Sequence, residues 1–197
     1  MNILTDKLPT SVTVGGIVYE IETDYRAAVQ LSLMVERGEK NPLKLCKPFF
    51  PKGFPKEIDG AVKAVLFFFR GGDEVKAETK APQKPKDDKP AYSFDVDKEA
   101  IYADFWRYYN IDLSKDSLHW WTFKSLLMGL PEKSNFKDRI YYRKVKLSDL
   151  PKGERKRIAA IRKEIEIKTG EKGVKITLEE RNKSMIDYVK NRCNEMR

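Results

Sequence analysis

The pattern of apolar and polar positions begins with two β-branched runs, Val12 to Val14 and Ile17 to Ile21, on either side of Gly15-Gly16. Paired glycines suit a two-residue turn, so the pattern predicts a short β-hairpin. A hairpin alone is marginal in water and needs a surface to lean on. Thr23 and Asp24 offer an N-cap, after which Ala27, Ala28, Leu31, Met34 and Val35 recur at helical spacing as far as Gly38, predicting an amphipathic helix. Pro42, Pro48, Pro51 and Pro55 exclude a long helix next, while Phe49, Phe50 and Phe54 supply core side chains. Ile58, Ala61, Val62, Val65, Leu66 and Phe69 mark a second helix, with Gly71 just beyond its end.

The apolar signal then stops. From Gly72 to Pro90 the chain is rich in Lys, Asp, Glu and Pro, and Val75 is its one large apolar residue, which predicts a flexible linker. A long ordered surface loop is the competing reading. Periodicity returns in FDVDKEAIYADFWRYYNIDL, Phe94 to Leu113, where Asp95 or Asp97 can cap a helix. Its Ile101, Tyr102, Phe105, Trp106, Tyr108 and Tyr109 cover more than one face, so this helix is expected to be central. Ser114 and Asp116 suggest the start of another helix running to Met128 and stopped by Gly129 and Pro131, with Trp120, Phe123, Leu127 and Leu130 as its inner stripe. The short connection predicts that these two helices pack antiparallel through their aromatics. Phe136, Ile140 and Tyr141 indicate a shorter helix running into Arg143. Ile158, Ile161 and Ile165 alternate with basic residues in a further helix, and Thr177 with Glu180 forms a capping box for a last one. The expected fold is mainly α with a small β part (α+β). It is a helical bundle with an N-terminal hairpin, in two halves joined by a Lys/Pro-rich linker: 1–71, then 72–91 as linker, then 92–197 as an aromatic domain with basic C-terminal helices.

Charge sharpens this division. The formal net charge of +9 matches the excess in residues 132–197, with 20 basic and 11 acidic side chains, whereas residues 91–131 carry 4 and 6. With 10 Phe, 9 Tyr and 3 Trp, the 197-residue chain has ample material for a core. Its longest run of large apolar residues, Val65 to Phe69, is far too short to span a bilayer, and the N-terminus has no export signal, so the expected location is cytoplasmic. Cys46 and Cys193 lie far apart and provide neither a disulfide framework nor a metal-type spacing. His119 is the single histidine, which removes imidazole triads and multi-histidine metal centres. Phosphate-cradling and dinucleotide glycine motifs are absent. No catalytic, cofactor-binding or metal residues are therefore assigned, and the chain is expected not to be an enzyme.

Two groups remain as candidates. Among the aromatics, Phe105, Trp106, Tyr108 and Tyr109 could stack bases and His119-Trp120-Trp121 a ligand, the alternative being a structural scaffold of Phe105, Trp106, Tyr109, His119, Trp120 and Phe123. Their acidic surroundings favour core packing instead, with His119 bonded to a carboxylate and one of Trp120 and Trp121 facing the core. Arg155, Arg157, Ile158, Arg162 and Lys163 form a basic amphipathic stretch. It has three readings: a solvated charged face, a surface for an acidic segment or partner helix, or a phosphate-backbone contact. The interspersed acids weigh against nucleic acid, and the lack of Trp or Phe on that helix weighs against a membrane surface.

The aromatic helix Ile101 to Tyr109, Ile111-Asp112-Leu113, Leu118-His119-Trp120-Trp121, Phe123, Leu126-Leu127, Gly129-Leu130 and Ile140-Tyr141-Tyr142-Arg143 together resemble the bacteriophage gene-product-15 family of tailed phages and prophages. Gly16, Tyr19, Ile21, Thr23-Asp24 and Tyr25-Arg26 extend the resemblance to the front of the chain. The linker and the last ~30 residues carry little of it. What the resemblance implies is a non-catalytic tail-assembly chaperone, present in the host cytoplasm and absent from the mature virion. It would hold the tape-measure protein soluble while the tail-tube protein polymerises around it, and self-association is compatible with that role. The alternatives are a basic nucleic-acid-binding phage regulator and a minor structural tail protein.

Overall fold

The computed structural model describes residues 2–73 and 90–168. Among these are a two-strand antiparallel hairpin and seven α-helices, so the protein is mainly helical with a small β part. The expected hairpin forms from β1 (Ser11–Val14) and β2 (Ile17–Glu20), with Val12 opposite Tyr19 and Val14 opposite Ile17. Gly15 and Gly16 take φ of 56° and 78°, the left-handed pair that lets a two-residue turn follow the strand twist. The hairpin leans on α3 (Ile58–Arg70), where Val14 is buried against Gly60. A Cβ on Gly60 would lie 2.6 Å from Val14 Cγ1, so the missing side chain is what admits the strand.

Helix α1 (Tyr25–Glu36) starts where the cap predicts, with the Asp24 carboxylate accepting the Arg26 N–H at 2.8 Å. The proline-rich stretch holds only the short α2 (Pro42–Cys46) and a 3₁₀ turn, Lys47–Phe49. Phe49 and Phe50 are buried and Phe54 is half-buried. Gly71 closes α3 in the left-handed conformation, φ 86°.

The described chain divides into two compact units that do not follow a single cut in the sequence. Residues 2–73 group with Leu118–Lys124, and Pro90–Ser117 groups with 125–168. In the first unit, residues 118–120 lie beside the N-terminus of α1. The Tyr25 N–H donates to the Leu118 carbonyl at 2.9 Å and the Trp120 N–H to the Thr23 carbonyl at 2.7 Å. This extended pairing delays the start of α5 (Trp120–Met128), so the helix expected from Ser114 begins six residues later. Asp112 and Asp116 instead fold Leu113–Lys115 into a turn: the Asp112 carboxylate accepts the Ser114 N–H and hydroxyl, and Asp116 accepts the Asp112 N–H.

The second unit contains α4 (Lys98–Tyr109), the later residues of α5, α6 (Asn135–Lys144), a 3₁₀ turn at Leu147–Asp149, and α7 (Lys152–Glu164). Two expectations change here. Helix α4 is not apolar on all sides: Ala100, Ile101, Asp104 and Phe105 face inward, while Tyr102 and Trp106 are exposed. Its principal packing partner is α6 rather than α5, because the first half of α5 turns its aromatics toward α1 and α3. The capping box at Thr177 and Glu180, and nearly all of the predicted linker, lie outside the described residues.

Candidate protein-interaction surface

Two polar anchors set α6. Its first amides are capped locally by Ser134 Oγ, and they are also received by Asp104 of α4, whose fully buried carboxylate accepts the Asn135 and Phe136 N–H groups at 3.2 and 2.7 Å. A negative group at a helix N-terminus is favourable both as acceptor and against the helix dipole. Seven residues before Asp104, Asp97 is also fully buried. It accepts the Ser93 N–H, Arg139 Nη1 at 3.2 Å, and both terminal nitrogens of Arg143 at 2.7 Å. Arg143 further donates to the carbonyls of Ala91 and Ile165, so one guanidinium ties three separate chain segments. Asp97 is the residue before α4, as expected, yet its side chain serves this ion cluster rather than its own helix cap.

Helix α7 lies on α6 and the preceding turn. Ile158 and Ile165 are buried and Ile161 is half-buried, which confirms the apolar stripe read from the sequence. The basic candidates separate into two kinds. Arg155 donates to the carbonyls of Leu150 and Ser148 at 2.8 and 2.9 Å, and Arg162 to those of Tyr142 and Val145, so both brace the polypeptide beneath them. Arg157 and Lys163 are exposed, as are Lys152 and Lys156. Among the described residues none of these four has a carboxylate partner.

The aromatic candidates separate by unit. Phe105 is fully buried, Tyr109 is half-buried with its hydroxyl donating to the Leu126 carbonyl, and Trp106 stands 51% exposed. Burial raises the Tyr109 hydroxyl above its ordinary pKa, so it stays a donor. In the first unit, Tyr25, Phe123, Trp120 and Phe69 form a stack of rings with successive centroids 4.5, 5.8 and 5.2 Å apart. Trp121 is buried as well, contrary to the expectation that one tryptophan of the pair would be partly exposed. The reason is hydrogen bonding at the α3 C-terminus, where the Trp121 and Trp120 indole N–H groups donate to the Phe68 and Phe69 carbonyls, each at 2.7 Å. Lys124 takes the next carbonyl, Arg70. His119 bonds no carboxylate; its Nε2 lies 3.0 Å from the Pro9 carbonyl and its Nδ1 accepts the Trp121 N–H. The histidine–tryptophan block is therefore a cap on α3.

No helix among the described residues is long and apolar enough to cross a membrane, and no group of three His, Cys, Asp or Glu among them could hold a metal ion. Burial pushes the Cys46 thiol up to about 12, which leaves it protonated and unreactive. The family model described as Bacteriophage Gp15 protein matches residues 4–167. The chain belongs to that family. No curated protein and no solved structure matches it.

The seven helices among the described residues of this Gp15-family chain all lie inside the matched span. Sequence reasoning missed Asp97, Asp104 and Arg143, the buried polar residues that set α6. The signal was present: Asp97 just before α4 and Asp104 on its apolar side are seven apart, and Arg139 and Arg143 are four apart on α6. It also passed over Lys152 and Lys156, which fall outside the isoleucine stripe.

Proposed function

We propose that this phage protein is a non-catalytic tail-assembly factor that chaperones the tape-measure protein in the host cytoplasm and is left out of the mature virion. Family membership supports a phage role, and the observation that carries the chaperone reading is the outward placement of Trp106. Two of the three tryptophans are buried, whereas Trp106 sits on the outward side of α4 with exposed Tyr102 one turn before it. Large aromatics in that position are the usual anchors for a partner helix, and an aggregation-prone client needs its apolar side chains covered. Tail-tube protein polymerising on the client then displaces the chaperone.

Co-expression with a tape-measure protein from the same phage, with purification in about 50 and about 300 mM salt, tests this reading. The expected result is a soluble complex that survives both salts and is weakened by Trp106→Ala. A tape-measure protein that stays insoluble, or nucleic acid that co-purifies only at low salt, refutes it and favours the regulator reading, for which the exposed lysines of α7 are the supporting observation.

A further inference from the structure

The arginines and lysines of α7 point to different jobs. Arg155 and Arg162 are held by backbone carbonyls, and Arg139 and Arg143 of α6 by Asp97. Of the α7 arginines, Arg155 and Arg162 thus have their planar forks, the shape best suited to gripping phosphate, engaged by backbone, and Arg157 is left exposed. What faces outward is chiefly lysine. With Ile158 and Ile165 marking the buried side, 100° per residue places Lys152, Lys156 and Lys163 within an arc of about 40° on the opposite side. Along the axis they are spaced by about 6 and about 10 Å. The exposed Ala159 and Ala160 border the row, so nothing bulky keeps another backbone away from it.

We infer that this lysine row is a docking surface for an acidic α-helix of the protein partner, one carrying carboxylates at the matching spacings of four and seven residues. The inference rests on the reading of the chain as a protein-binding factor. Charge complementarity selects the occupant: the row is narrow, straight and parallel to a helix axis. It has neither an aromatic for stacking bases nor a cluster of free arginines for a phosphate backbone. Of the basic stretch read from the sequence, Arg155, Ile158 and Arg162 hold α7 in place, and Lys163 joins Lys152 and Lys156 in making the contact.

The test uses the full chain and a fluorescent synthetic helical peptide bearing Glu at the matching spacings, with an isomer whose Glu residues are distributed around the helix. Fluorescence anisotropy is expected to show about tenfold weaker binding of the matched peptide when Lys152, Lys156 and Lys163 are all changed to Gln. A control triple, Lys47→Gln, Lys56→Gln and Lys63→Gln, removes the same charge from exposed positions of the first unit and leaves binding within about twofold. Circular dichroism confirms that both triples fold. Equal losses in both triples, no loss in either, or equal binding of the isomer peptide overturns the inference. So does an RNA duplex that displaces the peptide and depends on the same three lysines. Rescue of the tape-measure protein is read separately, so a failed peptide experiment with intact rescue removes this surface and leaves the chaperone reading standing.

Discussion

Asp97→Asn tests whether the buried ion cluster holds the second unit together. The substitution keeps the side-chain volume but removes the charge and replaces one acceptor oxygen with an amide that turns its own donors toward the guanidiniums. The Asp97 side chain is 0% exposed and receives both terminal nitrogens of Arg143, which is itself only 7% exposed. Breaking such a pair from one side leaves a buried charge uncompensated, at a cost of about 3–5 kcal/mol. Two features place the expected loss near the lower bound: Arg139 is 30% exposed, and Arg143 keeps the Ala91 and Ile165 carbonyls as acceptors. A loss of about 3 kcal/mol corresponds to a fall in Tm of about 6–12 °C for a chain of this size. Calorimetry and urea unfolding followed by circular dichroism measure it. Replacing the whole cluster by apolar residues, Asp97→Leu with Arg139→Leu and Arg143→Met, is expected to recover most of the loss, because the ions' desolvation is then removed together with their attraction. If Asp97→Asn melts within about 1 °C of the parent chain, the guanidiniums are hydrated in solution and the reasoning fails.

Three further outcomes follow from the geometry. Trp120→Phe is expected to cost about 2 kcal/mol, since the Phe69 carbonyl loses its donor. Trp121→Phe costs less, because the Phe68 carbonyl still receives the Gly71 N–H; paired urea midpoints give the order. Gly60→Ala ordinarily stabilises a helix by about 1 kcal/mol, but here the added methyl meets Val14, so thermal melting should show a net loss and restoration by Val14→Ala. The Asp112 carboxyl is held well below the usual carboxylate range, first by the Ser114 hydroxyl, against the opposing effect of burial, and then by the Ser114 N–H, Lys115 and Tyr102. Its contribution is therefore complete above pH ~4 and lost as pH falls below that. The stability advantage over Asp112→Asn, measured by urea midpoints from neutral to acid pH, should narrow on acidification, and a constant gap would contradict this account.

Local chemistry determined much of the architecture before any packing was considered. Two adjacent glycines between β-branched runs leave a two-residue hairpin as the ready solution, and Asp24 and Gly71 mark helix ends because cap and left-handed positions demand those side chains or their absence. The inner stripe Trp120, Phe123, Leu127 and Leu130 was legible for the same reason, as helical periodicity reports burial wherever one face is covered. Tertiary structure decided what periodicity cannot carry. An aromatic residue has the same apolar signature whether it is buried like Phe105 or exposed like Trp106, and only the position of α6 distinguishes them. Arg155 and Lys156 are equal charges in the sequence, yet one finds carbonyls at Ser148 and Leu150 and the other faces water. The onset of α5 was misplaced because the pairing of residues 118–120 with Thr23 and Tyr25 is a contact nearly a hundred residues distant in the chain, and no local propensity encodes it. Helix ends and turns are local; the choice of which polar group is satisfied inside is made only when distant segments meet.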